Sequence, residues 1–297
     1  MSTKNEQNIN SEPVGSLEEV VVMFIDLTGY TALSEDLNGG NIGNRLVPAL
    51  NAYLEVAAEH IVKNGGIVDK YIGDAVMALF YTSGISTGGG DKQLAVHAYA
   101  AIRTALATLQ EFHELEADKK HIANMLTIVN DNRKKSGRKQ LEVSDFGFSI
   151  GINCGTALVG HITPERPITK ERPNGGRDFT AVGDTINTAA RLQDKAELNQ
   201  ILVSDRIIKW LNNCEQYKNC VQPHGFNVQL KNKSDMEVHE VKGFCPEWLL
   251  LSKHHIDWLK DQIGSNLPAE GFMKILKAIL ATNDLPKDIL IGPDLTK

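Results

Sequence analysis

The sequence predicts an α+β fold with helices packed on one face of a mainly antiparallel sheet. Three observations carry this. Short runs rich in Val, Ile and Phe come in pairs split by tight Gly-containing turns, as in hairpins. Long stretches with helical apolar spacing fall between those pairs. The order along the chain is β-α-α-β-β-α-β-β, followed by further α and β, so strands joined by hairpins alternate with helices that must bury one face on them.

The elements follow in order. The opening "MSTKNEQNINSEPVGS" is polar, lacks the apolar core of a secretory leader and is expected to be a disordered lead over residues 1–16. "LEEVVVMFID", Leu17 to Asp26, is a β-branched run ending on a carboxylate and reads as a central strand. "TGYTALSEDL" then opens a helix. "GNRLVPALNAYLEVAAEHIVKNGG" has helical spacing and closes on a Gly pair. "IVDKYI" and "AVMALF" form a hairpin around "GD". "DKQLAVHAYAAIRTALATLQEFHELEA" is a long amphipathic helix, and "NDNRKKSGRKQ" a solvated basic loop. "FGFSIGINCGTALVGHI" reads as a second hairpin turning near Cys154 and Gly155. Thr163 to Arg177 is a loop rich in Pro, Gly and charge. "DFTAVGDTINTAARLQDKA" passes from a short strand to a helix. "ILVSDRIIKWL" does the same with Ser204 as N-cap, and "MEVHEVKGF" is a late strand. From Lys253 the chain reads as two or three helices, a helical extension over 253–297 beyond a main domain at 17–252.

Composition narrows the function classes. With 42% hydrophobic and 23% charged residues the chain is of the soluble globular class, and no apolar run approaches the ~18–20 residues that span a bilayer. A net charge of −6 and a pI near 5.9 argue against a general nucleic-acid binder. The four cysteines, Cys154, Cys214, Cys220 and Cys245, match no zinc or CxxC spacing and read as reduced thiols of a cytoplasmic protein.

Two carboxylates stand out. Asp26 ends the first strand and Asp74 sits in the turn of the first hairpin. In a ferredoxin-like βαββαβ arrangement that strand lies beside the hairpin, and both carboxylates meet at one end of the sheet. Two hard oxygen donors there suit Mg²⁺, which fills its remaining positions with phosphate and water. The turn after Asp26, Thr28-Gly29-Tyr30-Thr31, opens a helix and offers backbone N–H groups to a phosphate. Metal and phosphate cradle together point to a nucleoside triphosphate.

"FIDLTGYTALSE", "KYIGDAVMALF", "GINCGTALVGHI" and "FTAVGDTINTAARL" resemble, in this order, the signature blocks of class III nucleotidyl cyclases. One such block is a weak signal, but four in sequence from about Val20 to Val203 are strong. The resemblance implies that Asp26 and Asp74 bind two Mg²⁺ or Mn²⁺ ions, and that the Leu27 backbone carbonyl also touches a metal. It implies that Lys70 and Thr180 select the base, and that Asn187 and Arg191 orient the ribose and stabilise the transition state. It implies the Lys/Thr subtype, conversion of ATP to 3′,5′-cyclic AMP and pyrophosphate, and a homodimer with shared active sites feeding a downstream cyclic-nucleotide effector. Simple chemistry agrees. Lys70 can donate to adenine N1, the Thr180 hydroxyl can accept from the N6 amino group, and a forked guanidinium suits charge building on the α-phosphate.

Taken singly, each of these residues has a plainer use: Asp26 as a helix N-cap, Lys70 as a solvated strand residue, Thr180 as β-former, Asn187 and Arg191 in local caps or ion pairs. Asp69, Asp178 and Asp184 are assigned only turn, loop and helix-start roles, and His161 none. The Thr163 to Arg177 segment is longer than the usual family connection and adjoins Thr180, so it bears on base choice. Rival readings are a pyrimidine cyclase (UTP or CTP) of the kind that signals in bacterial antiphage defence, a guanylate cyclase, and a non-catalytic nucleotide-binding module. Lys70 and Thr180 stand where a family guanylate cyclase usually has Glu and Cys.

Overall fold

The structure, a computed structural model, describes residues 15–35, 43–82, 91–119, 121–162, 178–231 and 235–245. The Thr163 to Arg177 loop, the helices expected beyond Lys253 and nearly all of the polar lead lie outside the described residues.

The first half follows the predicted order. Strand β1 (Gly15–Thr28) leads through α1 (Tyr30–Glu35) and α2 (Gly43–Lys63) to the hairpin β2 (Ile67–Ile72) and β3 (Ala75–Phe80). Helices α3 (Asp91–Lys119) and α4 (His121–Lys135) follow, then β4 (Gly147–Gly160). These strands lie in the order β2-β3-β1-β4 with all neighbours antiparallel, which is the ferredoxin-like arrangement. The second half adds β5 (Thr180–Val182), α5 (Asp184–Gln193), β6 (Ile201–Ser204), α6 (Asp205–Asn212), β7 (His224–Val228) and β8 (Met236–Glu240). They extend the sheet as β4-β6-β8-β7, with β4–β6 as its parallel pair and β5 added to the far end of β4.

Strand β1 is the axis of the molecule because both its faces are buried, which is why "VVVMFI" is a continuous rather than an alternating apolar run. Val21, Met23, Ile25 and Leu27 face the main core with Tyr53, Ala57 and Ile61 of α2 and Tyr99 and Ile102 of α3. Val20, Val22 and Phe24 face the other side, where Met77, Leu79, Val159 and Ala189 cover them. The alternation puts Asp26 on this second face, the one that α5 shares.

Two expectations are corrected. "FGFSIGINCGTALVGHI" is one unbroken strand, not a hairpin: all fourteen residues of β4 pair with β1, from Gly15↔Gly160 to Thr28↔Gly147. Its glycines mark close approach, not turning. A Cβ on Gly155 would lie 2.9 Å from Thr185 Oγ1 and 3.1 Å from Arg206 Nη1. The basic stretch from Asn130 to Lys135 is the end of α4, where Arg133, Lys134 and Lys135 sit on the negative pole of the helix. Strand β7, with its mixed "HGFNV" composition, was not foreseen. Ser204 does occupy the N-cap of α6, but its hydroxyl makes no capping bond.

Candidate active site

Asp26 lies opposite Ala75 on β3 and opposite Ser149 on β4. Asp74 immediately precedes β3, so the hairpin turn delivers it next to Asp26. Gly73 makes that turn possible with φ +64°, where an L side chain is strained. The turn is tied down by the Leu27 N–H, which donates to the Asp74 carbonyl at 3.2 Å. Burial, then the charges of Asp74 and Asp194, raise the Asp26 carboxyl to about 6. A half-buried carboxylate forced against a second one is a site short of positive charge, and a divalent cation relieves it. The donor set therefore fits such an ion, which the Asp26 and Asp74 carboxylates could hold with the Leu27 backbone beside them.

The Thr28–Thr31 turn lies against this pair. Gly29, at φ +91°, lets the chain pass under Asp145 and Phe146 into α1. The Thr31 hydroxyl donates to Asp74 Oδ2 at 3.5 Å, and burial followed by the Asp74 charge raises the Tyr30 phenol. The Thr28 hydroxyl turns away and bonds Ser149 Oγ at 3.1 Å.

A second cluster forms around Thr180. Lys70 Nζ donates to Thr180 Oγ1 at 2.8 Å across 110 residues of sequence. Phe179 stacks on Tyr81, just beyond β3, with ring centroids 6.5 Å apart, and so holds the start of β5 against the β2–β3 hairpin. Asp69, given no role by the sequence, joins this pair: its Oδ2 accepts from Thr180 Oγ1 at 3.0 Å and lies 3.2 Å from Lys70 Nζ. His161 packs edge-on against Phe179, which ties the end of β4 to the same cluster.

Helix α5 buries Thr185, Thr188, Ala189 and Leu192 and turns Asn187 outward to solvent, with Arg191 half-buried on the same side. Arg191 makes no hydrogen bond or ion pair among the described residues. The six residues thus fall into three groups: the Asp26–Asp74 pair, the Lys70–Thr180 pair and the Asn187–Arg191 face. No hydrogen bond or ion pair among the described residues joins one group to another.

The family model for the adenylate and guanylate cyclase catalytic domain matches residues 12–243. Among curated relatives, an adenylate cyclase of Anabaena cylindrica is 26% identical over 242 residues, covering 80% of this chain and 40% of that protein. Adenylate cyclase 1 of Rhizobium meliloti is 25% identical over 228 residues, covering 76% of this chain and 28% of that protein. The chain thus spans less than half the length of either. Among solved structures, the adenylyl cyclase CyaB from P. aeruginosa matches with a TM-score of 0.52 at 23% identity, over 76% of this chain and 95% of that one. The guanylate cyclase domain of RhGC from Catenaria anguillulae, in complex with GTP, matches with a TM-score of 0.53 at 20% identity, over 77% of this chain and all of that one. Cyclases of both base types share the fold, so the fold does not separate them. With the family match running from before β1 to beyond β8, the chain belongs to the adenylate and guanylate cyclase catalytic domain family, class III of the nucleotidyl cyclases.

Proposed function

We propose that the chain converts ATP to 3′,5′-cyclic AMP and pyrophosphate at sites shared by two copies. The observation that carries the base choice is the contact of Lys70 Nζ with Thr180 Oγ1 at 2.8 Å, a donor and a hydroxyl brought together from 110 residues apart. Side by side they match the N1 acceptor and N6 donor of adenine. The curated relatives named above are adenylate cyclases, which supports the same choice.

Asp26 and Asp74 hold the divalent ions. Two such ions supply acidity to the ribose 3′-hydroxyl and charge neutralisation to the phosphates. Asn187 orients the ribose, and Arg191 meets the charge that develops on the α-phosphate as pyrophosphate leaves. The Thr28–Thr31 turn lies against the triphosphate.

The test is incubation of the protein with Mn²⁺ and each of ATP, GTP, CTP and UTP, with chromatography of the products. Cyclic AMP should dominate, and Asp26→Ala and Asp74→Ala should each remove most turnover. A dominant cyclic UMP, CMP or GMP product overturns the base assignment. Near-normal rates in both Asp variants overturn the metal assignment.

A further inference from the structure

We infer that Asp69 sets which bases this site accepts. By taking the hydrogen of the Thr180 hydroxyl it makes that oxygen an acceptor only, so the site takes a base with an exocyclic amino group and rejects one with a keto group there. The inference deepens the proposed function and rests on its reading that Lys70 and Thr180 meet the base.

The geometry begins with a defect in the hairpin. Neighbouring residues of a strand point to opposite faces, so Asp69 and Lys70 should not meet one partner. The β2–β3 register shifts between Val68 and Lys70, however, and leaves Asp69 out of the pairing. A bulge of this kind re-aims side chains. Here it turns both Asp69 and Lys70 onto Thr180.

Proton counting then decides the polarity. A threonine hydroxyl has one hydrogen and two lone pairs, so alone it can face either an amino or a keto group. Lys70 is an ammonium without lone pairs and takes nothing from it. The remaining acceptors are Asp69 Oδ2 at 3.0 Å and the Ala181 carbonyl at 3.5 Å, and the nearer, charged oxygen holds the hydrogen. The Lys70 side chain, 42% exposed, covers the hydroxyl and has donors to spare for a ring nitrogen. As it reaches for the base, the Thr180 oxygen keeps a lone pair for an amino hydrogen and has no hydrogen for a carbonyl.

Asp69 is also poorly explained as a stabilising residue. Its side chain is fully buried and its second oxygen, Oδ1, has no hydrogen-bond partner among the described residues. Burial raises its carboxyl above the usual range, against the pull of the Thr180 hydrogen bond and the Lys70 ammonium. Such a group costs the fold stability, and an apolar residue of similar volume should be tolerated in its place.

The test compares wild type with Asp69→Val, a strand former of similar size, Asp69→Ala as a second truncation, Asp69→Asn and Thr180→Val. Two readouts are taken: binding of 3′-deoxy-ATP against 3′-deoxy-GTP, which cannot cyclise, and kcat/KM for the four natural triphosphates. Wild type should prefer amino-bearing bases. Whichever of Asp69→Val and Asp69→Ala folds should lose about tenfold of that preference, the scale of one mispaired buried polar contact. The melting temperature of Asp69→Val should be equal to or above wild type, which a merely structural role would not give. Asp69→Asn should keep the preference, because the Lys70 ammonium holds the amide oxygen toward Thr180. If Thr180→Val leaves the preference intact, the base-reading assignment falls and this inference with it. If Thr180→Val changes it and neither Asp69 truncation does, Asp69 has no such role and the assignment stands. Loss of preference in Asp69→Asn as large as in the truncations, or a wild-type preference for keto bases, also overturns it.

Discussion

At the residue scale the sharpest consequence belongs to Asp26. Its carboxyl lies near 6 in the folded chain against an ordinary 3.8, through burial first and Asp74 second. Between about pH 4 and pH 6 the folded state therefore holds a proton that the unfolded state has lost. The cost of ionising Asp26 is absent below about pH 4 and complete above about pH 6, so this group lowers stability as pH rises through that window. Asp26→Asn should then be more stable than wild type at pH 7.5 without divalent ions. The gain is about 1–2 kcal/mol once the shift is discounted for a group only half-buried, or a few degrees in melting temperature. At pH 4 the difference should vanish, and Mn²⁺ should raise the wild-type melting temperature more at pH 7.5 than at pH 5, because protons compete for the same oxygens. Thermal melts across these conditions decide it: an Asp26→Asn chain less stable than wild type at both pH 4 and 7.5 refutes the repulsion. Asp26 was legible in the sequence because it ends an apolar run that can only be a central strand. Asp69 was not, because strand alternation turns it away from Lys70 and only the bulge reverses that.

At the element scale the decisive contact is α5 on β4. A Cβ on Gly151 would overlap the Gln193 amide nitrogen and lie 2.5 Å from the Ala189 carbonyl oxygen. Both are backbone atoms of one helical turn and cannot yield singly. Gly151→Ala should push the C-terminal turn of α5 off the sheet, carrying Arg191 with it. The expected cost is about 1–3 kcal/mol of stability, with kcat down by about tenfold to a hundredfold from displacement of the group alone. Gly137→Ala is the control. Its φ of +68° brings about 1 kcal/mol of strain, but nothing lies within 4 Å of the added carbon, so activity should be retained. Equal kinetic losses in the two variants would show that α5 placement is not what Gly151 protects. The same contact explains where sequence reading failed. Glycine in "GINCGTALVG" signals a turn when only local conformation is weighed, whereas here it admits a helix that lies thirty or more residues away in sequence. Helix α4 was hidden for a related reason: its buried stripe among the described side chains is Ile122, Met125, Leu126 and Val129, and its charged end looks like a solvated loop. The β2–β3 hairpin, α2, α3 and α5 carried their own turn and periodicity signals and needed no tertiary information.

At the scale of the whole molecule, the proposed function has each site completed by a second copy. Within one chain Arg191 faces outward on α5 and meets no carboxylate among the described residues, while Asp26 and Asp74 crowd each other. A two-fold axis relating two copies would set the carboxylates of each against the Arg191 and Lys70–Thr180 groups of the other, giving two identical sites. Specific activity should then fall on dilution. The stronger test is complementation. Asp74→Ala and Arg191→Ala should each be inactive alone, since loss of one charge-stabilising group can cost ~10²–10³ in rate. In an equal mixture about half the dimers are heterodimers, each with one intact site and one that carries both defects, so activity should return to about a quarter of wild type per total protein. Subunit exchange is followed independently by fluorescence energy transfer between labelled copies. If exchange is complete and the mixture stays inactive, each chain works alone and the shared-site reading fails.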